Sequence, residues 1–473
     1  MRDRAMSALS SQTKPANQRL LVKLTVLAAV LLFCAAFNWS YVKWLSPVWG
    51  YLGFVYHTPS LSLLVLGYVL VAILGALSPY MIQRTSQVIY WMLFLVVFVP
   101  SVFVPIFMQY DNETTLLLMQ LCVTCGMLFI ALSYKAPLFN LPRYTFSGPL
   151  FWLLFFVVFA SLNVILLIVF RGSLHLASLE EVYTQRASGA AVLEANMAVG
   201  YVTSILSGVM NPFLIAYGLS TGRRRLVALG ILGQIVVYAT AAMKSVLISP
   251  LVIALFYYSL KKDRGGWVPK AGLVFAGTVF VITELVTGQE GSGILFILAS
   301  TLLMRTLGNS GLSLAEYQYF FERHPHTYLA HVHGISWFVH NPYTLDTGRE
   351  IAEYFGEIGA NSNAHFFAMD GITGFGLIGI PIMGILCAVV FWLLDSCARR
   401  HRITFSASAL TVCIISLTNA SLFTTFISGG LLFWMFLFVF MPRMELLPNV
   451  VSSNSDRNLI KRKHIAFRGR FIL

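Results

Sequence analysis

Charge is what this sequence has least of. Only 11% of its 473 residues are Asp, Glu, Lys or Arg, against about 25% in ordinary soluble domains. A soluble chain of this length would form roughly three domains, each with a charged surface, and the charges are too few to cover them. Disorder is excluded by the same composition, because 58% of the residues are hydrophobic and disordered chains are poor in apolar side chains. Cysteine is scarce as well. Cys34, Cys122, Cys125, Cys387, Cys397 and Cys413 all lie in or beside apolar runs, so no disulfide framework is supported. Cys122-x-x-Cys125 has no neighbouring histidine and reads as two small buried side chains rather than a redox or metal pair. No glycine-rich nucleotide loop, no His-Glu-x-x-His motif and no internal repeat is visible. The usual sequence signatures of nucleotide binding, a helical zinc site and a two-half transporter are thus missing.

What the chain has in abundance is apolar length. Runs suited to a membrane helix, which needs about 20 residues, cover 20–39, 60–79, 86–108, 114–133, 148–170, 197–219, 226–243, 246–260, 271–287, 371–394, 406–425 and 428–442. They are continuous rather than alternating, which favours helices over a barrel. The expectation is an all-α polytopic membrane protein with about 12 transmembrane helices, within a range of 11–14. The basic N-terminus and the apolar run ending near Ala35-Ala36 resemble a signal sequence, but the run is long and more spans follow, so an uncleaved first helix is expected.

The net charge of +13 could suggest a nucleic-acid partner, yet it sorts by side. With the N-terminus inside and each run crossing, the inner segments hold 25 basic and 5 acidic residues, and the outer ones 7 basic and 14 acidic. That separation is the cytoplasmic bias of Lys and Arg, and no nucleic acid is implied. Both termini are then cytoplasmic. Ile294–Met304, short for a span and followed by Arg305, is expected to be interfacial or re-entrant, because a crossing there would put Arg399–Arg402 outside. The organisation expected is a membrane domain over 1–287, comprising nine helices and a small outer loop at 171–196, then one large extracytoplasmic loop over 288–370. The last three helices cover 371–442, and a basic cytoplasmic tail covers 443–473.

Seven cations face outward: Lys43, Arg171, Arg186, Lys244, Arg305, Arg323 and Arg349. Positive charge is disfavoured there, so an anion such as a lipid pyrophosphate is one reason for it; pairing with local acids such as Glu316 and Glu322 is the other. Lys244 stands at the border of two spans, where a buried cation marks a functional site unless it snorkels to the interface. Residues 317–340 hold His324, His326, His331, His333 and His340 among many aromatics. This composition fits metal binding, sugar recognition or plain aromatic packing. The loop closes in Asn361-Ser-Asn-Ala-His365-Phe-Phe-Ala-Met-Asp370-Gly-Ile-Thr-Gly-Phe-Gly376-Leu-Ile-Gly379. Its glycines permit close backbone approach. Asp370, where a span begins, either caps that helix or, with His365, accepts a proton from an attacking hydroxyl.

This arrangement resembles the bacterial O-antigen polymerases (Wzy) and the wider oligosaccharide repeat-unit polymerase group. The residues carrying the likeness are Glu180-Glu-Val-Tyr183-Thr-Gln-Arg186, Ala242-Met-Lys244-Ser, Arg305 with Tyr317–Phe321, and the Asp370–Gly379 stretch. The family's Arg, ten residues, Gly pattern fits Arg323 to Gly334 but neither Arg171 nor Arg186. The related O-antigen ligases carry a spacing met by His365, Gly376 and Gly379, although Phe366 departs from it.

The resemblance implies a GT-C-like arrangement in the bacterial inner membrane and polymerisation of undecaprenyl-pyrophosphate-linked oligosaccharide at its outer face. Ligation to the lipid A core and flipping of lipid-linked units are the alternatives. The implied partners are the lipid-linked glycan, the bilayer and a chain-length regulator in the membrane, and no cofactor or metal is required. In this reading Asp370, His365 and Arg305 form the catalytic set. Arg186, Lys244 and Arg323 join Arg305 on pyrophosphate, while Tyr183, Tyr317, Tyr319 and Trp337 complete substrate binding. A periplasm-active reporter fused at Gly334 should be active; an inactive one, with a cytoplasmic reporter active at the same position, would overturn the sidedness.

Overall fold

The computed structural model describes residues 16–141, 145–172, 189, 196–288, 291, 293–332 and 334–442. The described chain is all helix and connection, with no strand, and it is a polytopic membrane protein. Among the described residues ten helices are long and apolar enough to cross a bilayer, against the expected range of 11–14; the runs at 60–79 and 226–243 form the helices Leu61–Leu77 and Arg224–Ala241, which are not among the ten.

In chain order the helices are α1 (Ala16–Ser40, prolonged through Trp49), α2 (Leu61–Leu77), α3 (Ser86–Met108) and α4 (Glu113–Ser133). They continue with α5 (Gly148–Val169), α6 (Ala198–Thr221), α7 (Arg224–Ala241), α8 (Lys244–Lys262) and α9 (Trp267–Val286). Next are α10 (Ile294–Phe321), α11 (Thr347–Tyr354), α12 (Phe367–Ala398), α13 (Ile403–Ala409), α14 (Thr411–Leu417), α15 (Leu422–Phe426) and α16 (Leu431–Phe440).

Two further regions differ from the sequence expectation. The run 406–425 is not one helix but α13, α14 and α15. Ser408 and Thr411 bond back to the carbonyls of Thr404 and Ser408, which competes with the helical ladder. Ser421 then caps a new helix by accepting from the amides of Phe423 and Thr424. The second difference is α10. The apolar stretch at 294–304 does not stop at Arg305 but continues as one helix of 28 residues, about 42 Å long. It persists because Gly311 lies on the Pro100 carbonyl and Val104, so the polar half is held against α3. The expected outer loop is therefore largely helical.

The chain divides into two compact units. The first holds residues 1–141, 259–399 and 413–435 and is centred on α3, whose apolar window is 94% buried. One end of this unit gathers Arg84, Tyr134, Asp395 and Arg399. Ser86 donates from its amide and hydroxyl to Asp395 at 2.8 and 2.7 Å, and Arg84 donates to the Ala136 carbonyl. At the other end the His57 amide donates to the Phe107 carbonyl, joining the end of α1 to the end of α3. Both ends of α10 meet this second end. Phe296 packs on Trp44 and Trp49 with ring centres 5.8 Å apart, and Arg323, just past α10, pairs with Asp111 at 3.5 Å. Despite its length, α10 does not run from one end of the unit to the other.

The second unit, residues 142–258, 400–412 and 436–473, packs Phe151, Phe155, Phe213, Tyr217 and Phe405 together. Buried polar groups join its helices: Gln234 donates to Ser249 Oγ and to the Ser207 carbonyl, both at 2.9 Å. Such bonds hold helices together where lipid supplies no hydrophobic drive.

Close helix contact in the first unit depends on absent side chains. A Cβ on Gly384 of α12 would lie 2.5 Å from the Gly126 backbone of α4. Gly384→Leu should therefore cost ~1–3 kcal/mol or more from overpacking, read as a lower unfolding temperature in detergent, with Gly384→Ala intermediate. A Leu variant as stable as the parent would deny this contact.

Candidate functional site

The first turns of α12 receive the chain segment 326–331. The Thr327 amide and hydroxyl both donate to the Thr373 carbonyl, at 2.8 and 3.2 Å. Leu329 lies against Gly374, and the His326 ring sits 3.4 Å from where a Cβ on Gly376 would be. Gly376 also has φ +64°, a left-handed conformation that suits glycine. The glycine cluster thus makes room for an incoming loop. Tyr328 and Leu329 adopt φ +48° and +65°, a conformation that is costly for side chains with a Cβ and that clusters at functional sites. The start of α12, Phe367–Ile372, is a widened π turn, another frequent mark of such sites.

This docking places His331 on Asp370. The Asp370 side chain is fully buried and that of His331 is 16% exposed. His331 Nε2 lies 2.9 Å from Asp370 Oδ1, and the Leu422 amide at the start of α15 donates to Oδ2 at 2.7 Å. Removing a carboxylate from water costs several kcal/mol, so an ionised Asp370 needs donors at both oxygens, and it has them. A carboxylate oxygen accepts, so the contact is made with Nε2–H of His331 as donor, which leaves Nδ1 as the second ring nitrogen. That Nδ1 is itself buried and has no partner among the described residues, although the side chain as a whole is 16% exposed. An imidazole oriented by a buried carboxylate, with its second nitrogen unpartnered, can serve as a general base once a substrate hydroxyl reaches that nitrogen.

The other expected site residues fall in several places. His365 does not join Asp370. It is fully buried, with Nε2 3.0 Å from the Ser310 carbonyl and 3.4 Å from Ser101 Oγ. Burial lowers its pKa to about 4, against the opposing bond to the Ser310 carbonyl. It is a neutral core histidine, which corrects its reading as a base at the reacting centre. Tyr317 is also fully buried, its hydroxyl donating to the Ser362 carbonyl at 2.8 Å, so it has no face for a sugar.

Arg323 lies 3.6 Å over the Tyr319 ring and pairs with Asp111 and Glu322, both at 3.5 Å. The local-acid reading therefore holds for Arg323. Asp111, which the sequence reading passed over, has its pKa pushed up to about 7 by burial and then by Glu322, with Arg323 opposing. Tyr319 packs among Tyr110, Tyr354 and Phe355. Arg305 is exposed on the π-helical stretch of α10, and Trp337 is 83% exposed on a short 3-10 turn. Lys244 is exposed at the start of α8, at a position belonging to the second unit. Arg186, Tyr183 and His333 lie outside the described residues. Two histidines serve packing: His324 stacks on Phe320 at 4.2 Å and His326 on Phe321 at 5.9 Å.

No family model, curated protein or solved structure matches the chain.

The neutral state of His365 has a measurable consequence. Unfolded, it titrates near the ordinary histidine value of 6.5, and folded at about 4. Between these values the unfolded chain holds a proton that the native state lacks, so stability falls as pH falls through this window, by at most ~1.4 kcal/mol per pH unit. Thermal unfolding in detergent at pH 7, 5.5 and 4.5 should show a shallower acid loss for His365→Gln than for the parent. Parallel slopes would exclude the buried neutral imidazole.

Proposed function

We propose that this chain is a membrane glycosyltransferase that polymerises undecaprenyl-pyrophosphate-linked oligosaccharide repeat units into a surface polysaccharide, at the outer face of the bacterial cytoplasmic membrane. The observation that carries the reading is the buried Asp370–His331 pair, whose second imidazole nitrogen is buried without a partner, set in a membrane protein beside an aromatic, histidine-rich segment. The likeness in layout and motifs to O-antigen polymerases supplies the substrate.

In the proposed reaction an acceptor hydroxyl of one repeat unit attacks the anomeric carbon of the growing glycan. The new glycosidic C–O bond forms as the bond to the lipid pyrophosphate breaks. The hydroxyl proton passes to Nδ1 of His331, and Asp370 steadies the resulting imidazolium without taking the proton. The leaving group is already a good one, so the remaining need is anion stabilisation, for which Arg305 is the exposed cation on α10. Trp337 offers an aromatic face to a sugar. His331 is then the catalytic base and Asp370 a positioning residue.

Deletion of the gene should leave lipid cores bearing a single repeat unit on a gel of the surface polysaccharide. Full-length chains after deletion would sink the proposal, and cores with no glycan would favour a ligase. His331→Ala should reduce chain formation by ~10²–10⁴-fold with the protein still inserted. Asp370→Asn should also shift the pH profile, because it changes the imidazole it orients. Unchanged chain length in both variants would remove this site.

A further inference from the structure

The second unit carries a feature that the proposed reaction does not use. Beside the N-terminal turns of α5, a cavity of about 610 Å³ is lined by Trp152, Phe156, Arg223, Arg224, Arg225 and Leu226, together with Gly222. Its volume lies within the ~300–1,000 Å³ of small-molecule sites. Its wall is almost wholly apolar, yet three consecutive exposed arginines stand on it. None of them pairs with a carboxylate among the described residues.

The local chain explains this placement. Gly222 closes α6 at φ +75°, and the Arg223 amide returns to the Gly218 carbonyl at 2.9 Å, so the arginines follow a sharp turn between α6 and α7. The first turn of α7 has no side-chain cap, which leaves its amides and its dipole adding to the positive field. The apolar wall belongs to α5, only 17% buried in its apolar window, with Leu153, Val157 and Ile168 exposed along it at 61%, 54% and 62%. That surface faces lipid chains in a membrane protein, and Trp152, at the polar end of α5, has the amphipathic ring favoured at headgroup depth.

We propose that this cavity binds one anionic phospholipid. The phosphate would meet the three guanidiniums, which grip phosphate bidentately, and an acyl chain would run over Trp152 and Phe156 onto the face of α5. A free anion explains the arginines but not the apolar wall, and a zwitterionic lipid explains the wall but not three unpaired cations. Basic pockets between membrane helices are a recurrent form of lipid recognition. The orientation bias of Lys and Arg requires charge alone, whereas this proposal also requires the cavity, and that difference makes it testable.

The experiment is native mass spectrometry of the purified full chain in detergent, titrated with palmitoyl-oleoyl phosphatidylglycerol or phosphatidylcholine. The parent should retain one phosphatidylglycerol at far lower lipid concentration than phosphatidylcholine, and millimolar inorganic phosphate should not displace it. R223Q/R224Q/R225Q should weaken retention by about 100-fold. Leu226→Trp, which fills the cavity and keeps every charge, should weaken it by about tenfold or more. Size exclusion and circular dichroism establish folding; if the triple variant fails them, Arg224→Gln carries the same expectation at about fivefold. Equal retention of the two lipids, displacement by phosphate, or parental retention in the arginine variant or in Leu226→Trp would each overturn the proposal.

Discussion

In a bilayer, every buried donor and acceptor has to find its partner within the protein, because no water is there to take its place. That constraint accounts for most of what is seen here. It forces the backbone into helices and makes charge rare within the spans. It also explains the buried polar contacts that recur between helices, such as Ser86 with Asp395 and Gln234 with Ser249. Each joins two different helices, whether consecutive, as for Gln234 and Ser249, or far apart in the chain, as for Ser86 and Asp395, because only another helix supplies the missing partner.

Asp370 is the sharpest case. With no exposure to solvent it takes one donor from His331 and another from the Leu422 amide, so a single carboxylate ties together the irregular segment after α10, the start of α12 and the start of α15. The same bonds that make its burial tolerable set the orientation of His331. The group that pins three segments also leaves one imidazole nitrogen buried without a partner. The glycines around it serve this docking, since His326 and Leu329 occupy space that side chains at 376 and 374 would take.

Much of the architecture was legible in the sequence because lipid imposes a length and a polarity on each crossing element. The glycine-rich start of α12 was legible for a related reason: repeated glycine signals close approach, although not what approaches. The pairing of Asp370 with His331 was not legible. The two are separated by 39 residues, the path into the contact depends on positive-φ residues at Tyr328 and Leu329, and nothing in their spacing marks them. His331 was one of five equivalent histidines until tertiary contacts distinguished it. His365 and Tyr317 misled for the opposite reason: their residue types suit catalysis and stacking, but burial beneath and within α10 assigns them to the core.

The sequence by itself determined the lipid solvent and the helical class, since these follow from composition and from runs whose meaning is local. Tertiary structure alone decided that α10 lies with both ends at one end of its unit, that Arg323 is committed to Asp111, and that Asp370 holds His331. The physical reason is that a hydrogen bond or ion pair depends on distance in space, to a few tenths of an ångström, and periodicity along a chain carries no information on that scale between segments that meet only after folding.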